Sequence, residues 1–206
     1  AFLDVPSYEV QIKNKTSSDK VVWAPNIRSL TGIDFSINGF IGAGVSWAGN
    51  VDSQQEIEKG RSTYSDYRAG LNLKHFRFDG NYQAYKGFYA TNTGEVDPAT
   101  AARGIKLQDP NMVASNASLN VIYFVSPENF SYAAAVAQDK RQESSGGSVL
   151  FGLAGSGTSF SSSSYLIPNT IRSRFGEDQN IKNVESRAGA CTEHVGLLVD
   201  ARHVLE

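Results

Sequence analysis

The chain has 206 residues, of which 40% are hydrophobic, and its formal net charge is -2; this fits one large domain better than two small ones. It has neither a net basic charge nor a Lys/Arg run, so nothing in it favours a nucleic-acid partner. Aromatic residues make up 11% and there are 19 glycines, a composition that favours strands and tight turns and predicts an all-β protein.

Apolar and polar residues alternate along much of the first half of the chain, which predicts strands with one apolar and one polar face. Asn38-Gly39, between two such segments, is the strongest short hairpin signal, because a type I′ turn needs positive φ at both positions. The polar stretch 49–61 predicts a long loop. The strands expected in this half are 8–14, 21–26, 31–38, 40–49 and 62–74.

Phe76–Thr91 is the longest alternating stretch, and it exceeds the roughly 9–11 residues with which a tilted strand crosses a bilayer. Lys86 falls on its apolar side. An apolar band about 25 Å tall, crossed at about 45°, takes roughly eleven residues, which puts Lys86 at the outer edge of that band. The side chain can extend to the lipid headgroups there, and we expect a membrane-interface girdle of Tyr85, Lys86, Phe88 and Tyr89.

The second half of the chain predicts strands at 111–126, 130–139 and 148–161, separated by a short turn at 127–129 and a polar loop at 140–147. A further long polar loop, 92–110, precedes them. Short and long connections therefore alternate, as they do in outer-membrane barrels with short periplasmic turns and longer outer loops. We expect an antiparallel transmembrane β-barrel of eight or more strands.

Charged residues of both signs lie on the polar faces of the predicted strands. On the lipid face at mid-bilayer an Arg or Lys would cost roughly 2–4 kcal/mol, so these side chains belong in a hydrated or ion-paired interior. We interpret them as a structural ion-pair network in the lumen. Its members are Glu9, Lys13, Asp34, Asp66, Arg68, Arg77, Asp79, Asp139 and Arg141.

The last part of the chain departs from the alternating pattern. Segment 164–190 is too long for a periplasmic turn, and we expect it to be an irregular loop or a plug-like segment within a single domain that spans 1–206. One more strand is expected around Val195–Val199. This gives eight or nine strands, whereas a barrel formed by one chain closes with an even number.

Several short motifs occur in the order found in a bacterial family catalogued as domain of unknown function 4421, and the chain resembles that family over about 8–170. The resemblance implies an outer-membrane β-barrel and no known catalytic residues. Members have further strands after the last motif, so it also implies that this barrel is incomplete, closes with fewer strands or is completed by a partner. The motifs are APN (24–26), NYQAYKGFY (81–89), FSYAAAVAQDKRQESSGGS (130–148) and SYLIPN (164–169).

Residues with catalytic chemistry are few and lie in unpromising places. His75 is at a predicted periplasmic turn, and His194 and His203 lie in the tail. Cys191 has no recognisable catalytic motif around it, and the glycine-rich stretch 152–157 lies inside a predicted strand, where a phosphate loop would need a following helix. We expect no enzyme, no metal site and no cofactor.

The preferred hypothesis is an outer-membrane β-barrel of a Gram-negative bacterium, located there after removal of a signal peptide. It would be a structural or partner-binding envelope component, or a narrow pore, in contact with outer-membrane lipid or lipopolysaccharide and with a protein partner. One alternative is a lipid-modifying enzyme of the same membrane. Another is a soluble calycin-like barrel that binds an apolar ligand, with the apolar faces turned inward.

Overall fold

The structure is a computed structural model that describes residues 2–4, 8–14, 17–127 and 148–194. Antiparallel strands form one sheet in this part of the chain, which confirms the predicted all-β class. The strands are β1 (Phe2–Asp4), β2 (Val10–Lys13), β3 (Lys20–Ala24), β4 (Leu30–Ile37), β5 (Ile41–Ala48), β6 (Thr63–Asn72), β7 (Phe76–Ala90), β8 (Gln108–Phe124), β9 (Leu150–Ser161) and β10 (Asn183–His194).

The strands follow the order β1-β4-β5-β6-β7-β8-β9-β10, and the β2–β3 hairpin joins the sheet through β3 and the end of β7. Within the described residues the sheet is open between β1 and β10. The predicted strand 130–139 lies outside the described residues. β8 pairs with β7 along one edge and with β9 along the other, and both pairings are antiparallel.

Short turns lie at one end of the strands, which we call the turn end. Asn38 and Gly39 have φ values of 52° and 66°, as the predicted hairpin turn requires. The second short turn, 73–75, closes with a hydrogen bond from the Leu73 amide to the Phe76 carbonyl at 2.7 Å. The long connections 49–62, 91–107 and 162–182 lie at the opposite end, which we call the capped end.

The long connections contain helices that the sequence patterns did not predict. They are α1 (Ser53–Lys59), α2 (Thr93–Val96), α3 (Pro98–Ala101) and a 3₁₀ helix (Arg172–Asn180). Asp52 begins α1, since its carboxylate accepts a hydrogen bond from the Gln55 amide at 2.9 Å. No helix in the described ranges has the length and apolar character needed to cross a membrane.

The expectation of an irregular segment over 164–190 is wrong for its last part. β10 pairs with β9 along its whole length, from Asn183 opposite Ser161 to His194 opposite Leu150. The strand escaped prediction because Ala188, Gly189 and Ala190 give no contrast between apolar and polar faces. The expected strand around residues 195–199 lies outside the described residues.

A bulge in β7 changes which side chains face inward at the capped end. The register shifts between Lys86 and Phe88, and Gly87 has a φ of 84°. A Cβ atom at Gly87 would lie 2.3 Å from the Arg61 carbonyl oxygen, so the chain needs glycine here. Beyond the bulge Phe88 faces inward and is 2% exposed.

This burial corrects the predicted girdle. Tyr85 and Phe88 belong to the buried core, because Tyr85 lies on the inward side of β7 and the bulge turns Phe88 to the same side. Lys86 is exposed on the outward side, and Tyr89 is half-buried with the Lys59 ammonium 5.8 Å from its ring centre. Lys86 retains the predicted outward position, and Tyr89, between the buried Phe88 and Ala90, lies on the same side.

The main cluster of buried hydrophobic residues lies toward the capped end. It joins strands as far apart in the sheet as β4 and β9, which would be roughly 24 Å apart in a flat sheet at about 4.8 Å per strand. The sheet therefore curves around this core. Its members are Val21, Trp23, Leu30, Tyr64, Tyr85, Phe88, Ala90, Val96, Met112, Ala114, Phe160, Leu166, Ile167, Ile171 and Phe175.

Candidate functional site

The concave side of the sheet, which we call the inner face, carries rows of polar residues below the core. One row runs across the strands through Asp34, Gly44, Arg68, Asn81 and Ser118, and each member is a direct cross-strand neighbour of the next. Side chains alternate between the two faces of a strand, so the register places these groups together.

Arg68 joins two carboxylates across three strands. Its Nη2 lies 2.9 Å from Asp34 Oδ1, and its Nη1 forms an ion pair with Asp66 Oδ2. The Asp66 side chain is 3% exposed and also accepts hydrogen bonds from Asn81 Nδ2 at 2.6 Å and Ser46 Oγ at 3.2 Å. The buried charge is therefore paired and hydrogen-bonded, which a buried carboxylate requires.

A second ion pair lies closer to the turn end. Arg77 binds Asp79 through two parallel hydrogen bonds, Nε to Oδ2 at 2.6 Å and Nη2 to Oδ1 at 2.8 Å. Its Nη1 donates to Asn72 Oδ1 at 3.1 Å, and Asn72 Nδ2 donates to the carbonyl of Gly39. The pair thus fixes the inner face to the first short turn.

Both ion pairs border a cavity of about 380 Å³ on the inner face, whose lining includes Asp34, Arg68, Arg77 and Asp79. Its wall extends from Asp34 on β4 to Ser118 and Asn120 on β8, which again requires a curved sheet. Gly44 leaves room for the charged groups, since a Cβ there would lie 1.9 Å from Asp34 Oδ1. The cavity offers paired charges, amides and a hydroxyl, which are groups that hold water or a small polar solute.

The residues of the predicted ion-pair network therefore do not form a single cluster. Asp34, Asp66 and Arg68 form one cluster, and Arg77 and Asp79 form another. Glu9 and Lys13 belong to the β2 segment at the capped end and do not line the cavity, because β2 pairs with β3 outside the main row of strands. Asp139 and Arg141 lie outside the described residues.

The side chains considered for catalysis remain dispersed. His75 Nδ1 lies 3.1 Å from the Phe124 carbonyl in the short turn, and Cys191 and His194 belong to β10. His203 lies outside the described residues. The glycine-rich stretch 152–157 is part of β9, as predicted. In the described ranges no group of three or more His, Cys, Asp or Glu side chains could hold a metal ion.

The convex side of the sheet, which we call the outer face, is apolar and exposed. Phe35, Tyr67, Leu119 and Leu153 are each more than half exposed, at 57%, 55%, 54% and 56%. The register joins such residues into continuous rows across β4–β9. The other members exposed by more than a third are Ile33, Ile37, Ile41, Val45, Trp47, Phe76, Tyr82, Tyr123 and Phe151.

Charged residues on the outer face occur at its margins. Lys86 lies at the capped end of the apolar rows, and Glu185 and Arg187 lie on β10, where they form an exposed ion pair at 3.7 Å. The apolar surface therefore extends over β4–β9 and ends at β10.

A family model matches nearly the whole chain. The model described as Domain of unknown function (DUF4421) matches residues 4–191, which include almost all described residues. The chain belongs to this family. Searches of curated proteins and of solved structures gave no match.

The chain segments that carry the APN and SYLIPN motifs meet at the capped end, which the sequence patterns did not predict, whereas residues 130–147 of another motif lie outside the described residues. Trp23, beside the APN motif, donates its indole N–H to the Leu166 carbonyl of the SYLIPN motif at 3.0 Å. Asn26 donates to the carbonyl of Gly60 at 2.8 Å, and its amide N–H donates to Ser62 Oγ at 2.7 Å. Trp23, Asn26 and Leu166 therefore take part in a structural junction, and contacts over such sequence distances leave no local periodicity to detect.

Proposed function

We propose that this chain is a β-sheet component of a bacterial outer membrane, with its outer face against lipid and a structural or partner-binding, non-catalytic role. The observation that carries the proposal is the continuous apolar surface over β4–β9. Soluble monomers rarely expose contiguous apolar patches above a few hundred Å², and such a surface needs lipid or protein to cover it.

The height of the apolar surface supports lipid as the cover. From Phe76 to Lys86 the outward side of β7 spans ten steps, or roughly 24 Å at about 3.4 Å per residue and 45° tilt. This equals the apolar band of about 25 Å on outer-membrane barrels. Lys86 then lies at the headgroup level, and Arg187 can extend toward it.

The inner face supports the same orientation. A soluble calycin-like barrel would turn its apolar faces inward and its charges outward, whereas Asp66 and Arg68 are on the concave side and Phe35 and Leu119 are exposed on the convex side. Unpaired backbone groups cost several kcal/mol each in hydrocarbon. The proposal therefore requires β10 at one edge of the described sheet, and β1 with the part of β4 beyond it at the other, to pair with each other or with a partner strand.

Membrane fractionation tests the proposal. Cells of a Gram-negative bacterium that express the chain are lysed, the outer membrane is separated by density, and its pellet is washed at alkaline pH. We expect the protein to stay in the washed pellet and to require detergent for extraction. A protein that remains in the supernatant and is monodisperse without detergent contradicts the proposal.

A further inference from the structure

The inner face is divided along the strands into a polar part and an apolar part. The cavity with Asp34, Arg68 and Arg77 occupies the part nearer the turn end. The part nearer the capped end is filled by side chains from outside the main row of strands. We call these segments the end cap; they are the β2–β3 hairpin, α2 and residues 165–175.

The end cap is packed as a protein core. Val21, Leu166 and Ile167 of the end cap are all 0% exposed, and so is Met112 of β8, which belongs to the same hydrophobic cluster. Such interiors have packing densities near 0.75 and few voids larger than a water molecule. A second cavity of about 490 Å³ lies at the capped end and is lined by Trp23 and Tyr165 among others, but none of these four fully buried side chains lines it. They therefore leave little room for a water-filled path between them.

Hydrogen bonds join the parts of the end cap to each other and to the sheet. Trp23 Nε1 donates to the Leu166 carbonyl at 3.0 Å, and the Leu166 amide donates to the Ile181 carbonyl at 2.9 Å. Thr170 Oγ1 donates to the Val96 carbonyl, which connects the 165–175 segment to α2. These polar groups have protein partners and do not need water.

An aromatic layer separates the end cap from the charged cavity. The rings of Tyr8 and Tyr85 stack at 4.5 Å, Tyr64 contacts Tyr85 at 4.6 Å, and Phe88 meets Phe160 edge-on at 5.5 Å. Asp66 interacts with Tyr64 and Tyr85 and is the charged group beside this layer. An ion that moved past Asp66 between the rings would lose its hydration among neutral side chains, which is strongly unfavourable.

We infer that the end cap closes the polar interior at the capped end, so that the protein is not a through pore. The inference rests on the proposed membrane insertion and on closure of the sheet edges. Solutes on the capped side of the membrane then have no access to the inner-face cavity.

Thiol labelling in cells that carry the protein in the outer membrane tests the closure. In a Cys191→Ser background, Glu56→Cys reports the capped side, Lys74→Cys reports the turn side and Ser118→Cys reports the cavity. A charged maleimide too large for general porins is added to intact cells, then to cells with a permeabilised outer membrane, and finally to denatured protein to show that each thiol reacts.

We expect Ser118→Cys to stay unlabelled in intact cells when Glu56→Cys is labelled and Lys74→Cys is not. If the protein is inserted in the opposite orientation, Lys74→Cys is labelled in intact cells. Permeabilising the outer membrane then adds labelling of Glu56→Cys, with no further increase in the labelling of Ser118→Cys. Labelling of Ser118→Cys from the Glu56→Cys side overturns the inference. Equal labelling of all three in intact cells contradicts the membrane proposal instead.

Two further measurements make the test independent of any one variant. Trp23→Ala in the Ser118→Cys protein removes a central side chain of the end cap, and we expect Ser118→Cys to become accessible from the Glu56→Cys side. The protein without these substitutions, inserted into a planar lipid bilayer, should carry no steady ion current. A reproducible single-molecule conductance overturns the inference even if Trp23→Ala fails to fold.

Discussion

Arg68 forms an ion pair with Asp66, a carboxylate whose side chain is only 3% exposed. Arg68→Ala would leave that charge with two neutral hydrogen-bond donors, Asn81 and Ser46. Breaking a buried pair costs roughly 3–5 kcal/mol; since Arg68 is 34% exposed, we expect a loss of about 2–3 kcal/mol in the free energy of unfolding. Urea unfolding in detergent micelles measures it.

Asp34→Asn is the matched control, because Asp34 is the other partner of Arg68 but is 55% exposed. Exposed ion pairs contribute about 0–1 kcal/mol, so this variant should unfold within about 1 kcal/mol of the parent. Equal losses for Arg68→Ala and Asp34→Asn would show that the burial of Asp66 does not determine the energetics of the cluster.

Leu119 and Asn120 are neighbours in β8 that lie on opposite faces of the sheet. Leu119 is 54% exposed on the outer face, and Asn120 lines the inner cavity. If the outer face contacts lipid, Leu119→Arg should destabilise the inserted protein by roughly 2–4 kcal/mol, while Asn120→Arg should have little effect on insertion. The fraction of protein in the washed outer-membrane pellet measures the difference. Similar fractions for both variants would count against lipid at the outer face.

Local sequence pattern predicted the features that depend on neighbouring residues. The alternation of Ile33, Phe35 and Ile37 with polar residues predicted β4 correctly, and Asn38-Gly39 predicted its turn. The period of two also placed Arg68 and Asp34 on one face, which made their contact across the strands foreseeable.

Features that depend on a local break in period or on distant segments were missed. The two-residue alternation of a strand predicted that Phe88 faces outward. Nothing in the sequence marks Gly87 as the site of a bulge rather than as an ordinary strand glycine. The end cap depends on contacts such as Trp23 with Leu166, whose positions differ by 143. Neither segment shows a helix or strand period strong enough to indicate a partner.

The hydrogen bond from Trp23 to Leu166 gives a graded test of the end cap. Trp23→Phe keeps an aromatic ring but leaves a buried carbonyl without its donor, and we expect a loss of about 1–3 kcal/mol in the free energy of unfolding. Trp23→Ala should cost about 3–5 kcal/mol because it also leaves a cavity. Far-UV circular dichroism follows the unfolding, because this backbone signal can be compared between variants with and without the tryptophan. Equal losses for both variants would indicate that packing of the large ring contributes nothing beyond the hydrogen bond.

Asp97 provides a pH-dependent contact at the start of α3. Thr100 donates to it from its hydroxyl at 2.7 Å and from its amide at 3.2 Å, and these bonds lower the pKa of the Asp97 carboxyl below its usual range. A lowered folded-state pKa stabilises the fold above the ordinary pKa of about 3.9, and that contribution is lost as pH falls through the lowered pKa. After correction for the intrinsic exchange rate, the protection of the Thr100 amide against hydrogen exchange should therefore decrease in acid.

Asp97→Asn is the control for this contact, since its side chain accepts a hydrogen bond but does not titrate. After correction for the intrinsic exchange rate, the Thr100 amide of this variant should lose no protection as the pH is lowered through the same range. A parallel acid-induced loss of protection in Asp97→Asn would assign the effect to another group.

Gly87 provides the test of the bulge. Its φ of 84° disfavours any side chain, and a Cβ there would lie 2.3 Å from the Arg61 carbonyl oxygen, a backbone atom that cannot rotate away. The left-handed conformation alone costs roughly 1–2 kcal/mol, and the overlap adds to it, so Gly87→Ala should lower the free energy of unfolding by more than about 2 kcal/mol. Gly155→Ala is the control, because Gly155 lies in β9 with no atom within 4 Å of its Cβ position. We expect that control to unfold at the same urea concentration as the parent. If Gly87→Ala unfolds at the same urea concentration as the parent, the bulge does not hold Phe88 in the core. The inward position of the Phe88 ring must then depend on its contact with Phe160.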